Sequence, residues 1–295
     1  MKNVFHALRW RWRVLSAPPI RAVYRSERGM ERPAIAHPPV NPITVDSDAG
    51  MHQIEVGGRT YWVPEGTDIG DLGMIHAEVF EPEHAHFYEF GPCVVRPGDV
   101  VVDLGASEGM FVRFALERGA SVIAVEPWEP MARCLRRTFA QEIDAGTVEI
   151  VEAGVSDHAG SANMLCDPAQ PWGAALTEVA GDDPLRTAET AVRLMTLDSL
   201  VAGTRLGRCD FLKMDIEGAE RAVFPGAHQT LRTWKPRISV AVYHYSDGYL
   251  IVRDHILRAG VPYTVAGKGL RHLAGVAFPL MLHAWPSELD TRGQA

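Results

Sequence analysis

VVVDLGASEGMF (residues 100–111), followed by SVIAVEP (residues 121–127), decides the fold. The first run is continuously apolar and ends on a glycine. After it, EGMFVRFALERGA (108–120) places Phe111, Phe114, Ala115 and Arg118 at helical spacing, and a second short apolar run follows. Short strands alternating with helices build right-handed βαβ units and a parallel sheet. The alternation continues with a helix over 128–142, VEIVEAG (148–154) as a third strand and DFLKMDIEG (210–218) as a strand running into a turn. A helix over 220–233, the strand ISVAVYH (238–244) and the helix DGYLIVRDHILRAG (247–260) come next. The final runs, PYTV (262–265) and VAFPLMLHAW (276–285), meet through a turn at Gly267 and Gly269 that leaves no room for a crossover helix, so they must pair antiparallel. The expected fold is α/β: a doubly wound, mostly parallel, Rossmann-like sheet of seven strands with an antiparallel C-terminal hairpin.

Toward the N-terminus the pattern changes. Alternating Ile54, Val56, Tyr61 and Val63 around Gly57-Gly58 predict a hairpin over 51–64, and 71–92 reads as helix and loop. Pro18, Pro19, Pro33, Pro38, Pro39 and Pro42 make 16–45 a linker by expectation. The chain then divides into an N-terminal helix, linker and substrate-side extension (1–95), a ligand-binding domain (96–286) and a tail (287–295).

A hydrophobic fraction of 46% and a charged fraction of 22% are those of an ordinary globular protein, and a net charge of −8 gives no footprint for nucleic acid. Charge is uneven, however: residues 1–32 hold eight basic side chains against Glu27 and Glu31. Phe5, Leu8, Trp12 and Leu15 fall at helical spacing there. They suit either peripheral contact with an anionic membrane or substrate, or docking on the main domain. Cys93, Cys134, Cys166 and Cys209 form no CxxC pair, and no apolar run approaches the ~20 residues of a membrane span. A cytoplasmic location, with membrane-peripheral contact as its variant, is the expectation. Oligomeric state is not legible.

Doubly wound sheets bind ligands at the carboxyl ends of their strands, where strand order reverses. Asp103 to Gly109 form the first such loop. Gly105 permits a sharp bend, Gly109 lets the next helix approach, and Ala106 and Ser107 lie between them, so the helix N-terminus can receive a carboxylate. Asp103 is expected to reach a ligand ammonium, and Glu108 to point outward. Glu126 ends the second strand, where a carboxylate accepts both hydroxyls of an adenosine ribose. That feature also suits NAD, so a nucleotide-dependent oxidoreductase is an alternative. The GxxxG spacing, in place of GxGxxG, lacks the shape for a pyrophosphate. Glu152 and Ala153, with Gly154, fall where an adenine edge would lie.

In CDFLKMDIEGAE (209–220), extended backbone puts Lys213, Asp215 and Glu217 on one face. Charges buried in a sheet need partners or a function. Lys213 is read as half of an ion pair, and Asp215 and Glu217 as functional groups beside the nucleotide. His244 ends the neighbouring strand and is the candidate general base. A variant has Asp215, Glu217 and His244 hold a divalent cation. His84, His86 and His158 show no comparably placed partners.

VVDLGASEGMF, VIAVEP, EAGVSDHAG, TLDSL (196–200), KMDIEGAE and FPGAHQTLRTWKPRISV, in that order over roughly 85–285, resemble the FkbM family of methyltransferases. The resemblance implies a class I methyltransferase sheet, S-adenosylmethionine as donor and an O-methyl product on a polyketide, sugar, glycolipid or related metabolite. Asp215 would then also touch the donor. Ser107-Glu108 departs from the family, which more often has Asn and an apolar residue there. A chain that kept the fold and lost the chemistry is a further alternative.

Overall fold

The structure is a computed structural model and describes residues 17–27, 34–167, 169–177, 188–273 and 276–290. Its first element, α1 (Pro18–Glu27), and the strand β1 (Val40–Asp46) both fall in the segment expected to be a linker. Proline in a first helical turn gives up an N–H that has no intrahelical partner anyway, so Pro18 and Pro19 start a helix here. The basic stripe from Phe5 to Leu15 lies outside the described residues.

β1 is the edge of a three-stranded antiparallel meander with β2 (Met51–Val56) and β3 (Arg59–Pro64), and its register slips between Pro42 and Thr44. Gly57 and Gly58, at φ 57° and 74°, make the expected tight turn between β2 and β3. The helix α2 (Leu72–Phe80) leads into the core.

The core runs β4 (Val100–Leu104), α3 (Met110–Glu117), β5 (Ser121–Val125), α4 (Glu129–Thr138), α5 (Ala140–Asp144) and β6 (Val148–Val151). All five residues of β4 are buried, as a strand covered on both faces requires. Val102 and Leu104 feed one hydrophobic core, and Val101 feeds the other together with Phe111 and Phe211.

The third strand is shorter than expected. It stops at Val151, and Gly154–Val155 (β7) turns away to join a second sheet that the sequence reading missed. That sheet has the order β7-β10-β8-β9, with β8 (Gly160–Asp167), β9 (Gln170–Leu176) and β10 (Ala188–Met195). The helix α6 (Leu197–Gly203), capped by the Thr196 hydroxyl, returns the chain to the core.

There follow β11 (Phe211–Met214), α7 (Glu220–Val223), α8 (His228–Trp234), β12 (Arg237–Ala241), α9 (Gly248–Arg258), β13 (Tyr263–Leu273) and β14 (Val276–Pro286). The seven-stranded sheet is ordered β13-β14-β12-β11-β4-β5-β6. From β12 to β6 all pairs are parallel, while β14 lies antiparallel to both β12 and β13. This is the expected doubly wound, Rossmann-like sheet with its antiparallel hairpin, but the expected turn at Gly267 and Gly269 is not there: β13 runs through both glycines and stays paired with β14 as far as Leu273. Ile20 and Val23 of α1 are buried in the first core, and a Cβ on Gly267 would crowd Val23. Among the described residues no helix is long and apolar enough to cross a membrane.

Candidate functional site

Strand order reverses between β4 and β11, and there the chain builds a bend that only glycine allows. Gly105 sits at φ 77°, and a Cβ on it would run into the Asp215 carbonyl oxygen. Lys213 braces the bend by donating to the Gly105 carbonyl at 2.7 Å. Glu126 holds the next turn: its carboxylate accepts from Ser107 N at 3.0 Å and Trp128 N at 2.9 Å. Burial pushes the Glu126 carboxyl up to about 7, against the pull of those two N–H groups.

Beside the bend lies a concave cavity of about 640 Å³, counted together with the open space at its mouth. Gly105, Ser107, Glu126, Ala153, Asp215 and Glu217 all line it. Its roof is supplied by the unforeseen sheet through Met164, Ala174 and Leu176. The sequence held one faint signal for that roof, the alternation of buried Met164 with Cys166 and of Val192 with Leu194.

Other expected ligand residues lie elsewhere. Asp103 is fully buried and 2.9 Å from Lys213 Nζ, so its carboxylate faces into the sheet and not toward the cavity. Lys213 is held above its ordinary value, since Asp103 and Asp215 outweigh the effect of burial. The ion pair expected of Lys213 is therefore present, and Asp103 is its partner. Gly109, at φ 89°, faces Phe139 and Leu135, where a side chain would collide; its need for glycine comes from helix packing. The Glu152 carboxylate, just past the end of β6, turns outward to Arg136 at 2.8 Å, while Ala153 lines the cavity. Ala106 lines a second cavity, on the other side of the bend. Glu108, expected outside, is 4% exposed and lines the same second cavity.

That second cavity, about 740 Å³ to its mouth, shares Gly105, Ser107, Asp215 and Glu217 with the first. Four carboxyl groups line it: Glu78, Glu108, Asp215 and Glu217. Its lysine, Lys213, is already paired. Burial, with Asp215 and Glu108 close by, pushes the Glu78 carboxyl up to about 8.

Between the cavities, Asp215, Glu217 and His244 come together as expected, but through a turn and not along one strand face. β11 ends at Met214, and Glu217 adopts φ 53°. His244 Nε2 lies 3.6 Å from Asp215 Oδ1 and 3.4 Å from Glu217 Oε1, and His244 Nδ1 lies 3.0 Å from Glu220 Oε1. Burial alone would lower the imidazole, yet Glu217, Glu220 and Asp215 overcome it and hold it well above its ordinary value. An imidazole held above its ordinary value gives up its proton less readily, which weighs against His244 as the general base without removing it from the site. Burial would raise the Asp215 carboxyl, but His244, His86 and Lys213, with the Tyr88 hydroxyl donating at 2.8 Å, hold it low. Tyr88, Glu78, Glu220 and Tyr243 escaped the sequence reading. His86, which has no evident partner in the sequence, lies buried, 3.7 Å from Asp215 Oδ2. Only the tertiary fold brings the 78–88 segment onto this turn.

The Methyltransferase FkbM domain family matches residues 103–260. The 31-O-demethyl-FK506 methyltransferase FkbM of Streptomyces tacrolimicus is 33% identical over 244 residues, covering 71% of this chain and 90% of that protein. The AMB antimetabolite synthetase AmbE of Pseudomonas aeruginosa is 25% identical over 223 residues, or 62% of this chain. This chain spans only 10% of AmbE. Among solved structures, the methyltransferase FkbM of Methylobacillus flagellatus KT is similar at 18% identity and a TM-score of 0.47, covering 71% of this chain and 48% of that one.

Proposed function

The chain belongs to the FkbM methyltransferase family, and from that premise we propose that it transfers a methyl group from S-adenosylmethionine to a hydroxyl oxygen of a sugar, glycolipid, polyketide or related metabolite. The family sets aside hydride transfer, the alternative that Glu126 left open. The observation that carries the reading is the shared wall of the two cavities: Gly105, Ser107, Asp215 and Glu217 face both. A donor on one side and an acceptor on the other would meet across those residues.

The first cavity fits the donor. Glu126 offers a buried acceptor to the ribose hydroxyls, Ala153 and Gly154 keep one wall flat beside the adenine, and Met164, Ala174 and Leu176 exclude water from above. Bound there, S-adenosylmethionine supplies a methyl group already activated on a sulfonium. The protein's remaining task is alignment, which can be worth ~7–11 kcal/mol in favourable cases, and management of one proton. Asp215 and Glu217, which line both cavities, would accept the reacting hydroxyl's hydrogen. Oxygen as the acceptor draws support from the relative named for a 31-O-demethyl compound. The lining of the second cavity has one lysine, which is paired with Asp103, against several carboxyl groups, so it offers an anionic acceptor little to bind and favours a neutral or cationic one. The basic residues 1–32 therefore do not argue for an anion at this site.

The test is calorimetry with S-adenosylhomocysteine, followed by incubation with methyl-labelled donor and fractionated polar, glycolipid and polyketide extracts. Micromolar binding and label in an alkali-stable ether are expected. Absence of binding, or label confined to amines or carboxyl esters, would overturn it.

A further inference from the structure

We propose that Asp215, Glu217 and His244 form a binding site for one divalent cation of the Mn²⁺ type, with Glu220 and Tyr88 as the groups that orient the ligands. The three residues each present one donor atom, and these atoms lie within 4.8 Å of one another. Donors held at ~2.0–2.2 Å from one ion are separated by about 3.0–3.5 Å, close to the observed 3.4 and 3.6 Å from His244 Nε2 to the two carboxylates. A direct charge-assisted hydrogen bond would instead draw such atoms to about 2.7–2.9 Å. His244 Nε2 is buried and faces both carboxylates from beyond that distance.

The surroundings add an independent argument. A ligating histidine usually gives its other ring N–H to a carboxylate, which fixes its tautomer and rotation. His244 Nδ1 is 3.0 Å from Glu220 Oε1, leaving Nε2 for the ion. The same Glu220 oxygen accepts from Ile216 N at 3.1 Å and Gly218 N at 3.3 Å, so one buried atom sets both the imidazole and the turn carrying Asp215 and Glu217. Asp215 repeats the pattern: Tyr88 occupies Oδ2 at 2.8 Å, and Oδ1 is left facing His244. Each of these two ligands has one atom tied and the other presented. One imidazole with two carboxylates suits Mn²⁺ and its neighbours better than an all-oxygen Ca²⁺ site. Asp215 and Glu217 line both cavities, so the ion's remaining positions would take the acceptor hydroxyl and raise its acidity. That placement rests on the methyl-transfer reading; the binding of the ion does not.

Mn²⁺ titration of the full chain, followed by the electron paramagnetic resonance of the free ion, tests the site directly. One Mn²⁺ per chain is expected at micromolar to tens of micromolar concentration. Glu217→Gln, whose side chain is a quarter exposed, should fold normally and bind at least tenfold more weakly. Glu220→Gln keeps an acceptor for the two N–H groups but removes the negative charge facing His244 Nδ1, and should weaken binding by roughly 10–100-fold. No binding below millimolar by the unaltered chain overturns the proposal, as does unchanged binding by both variants. S-adenosylhomocysteine affinity, measured on the same samples, reads the donor site separately. Its loss with Mn²⁺ binding retained would sink the methyl-transfer reading and leave the cation site standing.

Discussion

At Glu126 two backbone N–H groups favour a charged carboxylate while burial favours a neutral one, and the balance places the group at about 7. A ribose diol donates to the charged form, so donor binding is linked to loss of that proton. S-adenosylhomocysteine should bind roughly tenfold more weakly at pH 6 than at pH 8. In Glu126→Gln calorimetry should show binding weakened by about 1.5–3 kcal/mol and flat across that window; an unaltered pH slope would remove Glu126 from the ligand. Lys213 makes a different prediction. It joins Asp103 at 2.9 Å in register between adjoining strands and holds the Gly105 carbonyl. Lys213→Met leaves a carboxylate alone at 0% exposure and should cost about 3–5 kcal/mol in denaturant unfolding, with Lys213→Met/Asp103→Leu recovering part of it. The residue types were legible here, because a lysine in a core strand must have a partner. Its choice of Asp103, which removed that carboxylate from the ligand, depends on which strands are neighbours.

The alternation of apolar runs and helices exposed the parallel strands because they are buried on both faces, and the closing hairpin because too few residues separate its two runs for a crossover helix, although β13 extends past the glycines that read as its turn. The second sheet left a weaker trace. Its strands β8 and β10 bury only every other residue toward their ends, and the rest of each is exposed or half-buried, so composition alone resembles a loop. The helix α1 was hidden for another reason: proline reads as a breaker unless its place in the first turn is known. The turn after β11 likewise converges Asp215 and Glu217 through a left-handed residue, which strand periodicity cannot foretell. Because β8 and β9 roof the donor cavity without carrying the main sheet, a change there should separate binding from folding. Leu176 lines that cavity and is only partly buried. Leu176→Lys is expected to leave the thermal midpoint of the free chain within a degree or two and to weaken S-adenosylhomocysteine by about 1–1.5 kcal/mol, roughly tenfold. A large fall in the midpoint with affinity intact would show the roof to be structural only.

Across the whole molecule, buried titratable groups oppose one another and thereby shape stability against pH. His283 is fully buried and pushed down to about 3, and His76, also buried, to about 4, both chiefly by loss of water. Folding keeps these rings neutral, so the unfolded chain binds more protons below its ordinary value of 6.5. Their contribution is complete above 6.5 and is lost as pH falls toward 4 and 3. Glu126 at about 7 and Glu78 at about 8 act with the opposite sign. The folded chain holds their protons where the unfolded chain has released them, so their contribution is complete below 4.5 and is lost as pH rises through 7 and 8. Between 4.5 and 6.5 the two sets oppose each other; above 6.5 the carboxyl groups still act, joined by His244, whose proton folding also holds above its ordinary value. The thermal midpoint of the ligand-free chain should therefore fall from pH 6.5 to pH 8.5, and Glu78→Gln/Glu126→Gln should flatten that limb while leaving the acid limb in place. Saturating S-adenosylhomocysteine should flatten it too, since a ligand that prefers charged Glu126 stabilises more as the proton leaves. Differential scanning calorimetry in matched buffers reads both effects, and a midpoint that rises from pH 6.5 to 8.5 in the free chain would mean that these carboxyl groups are not protonated in the folded state.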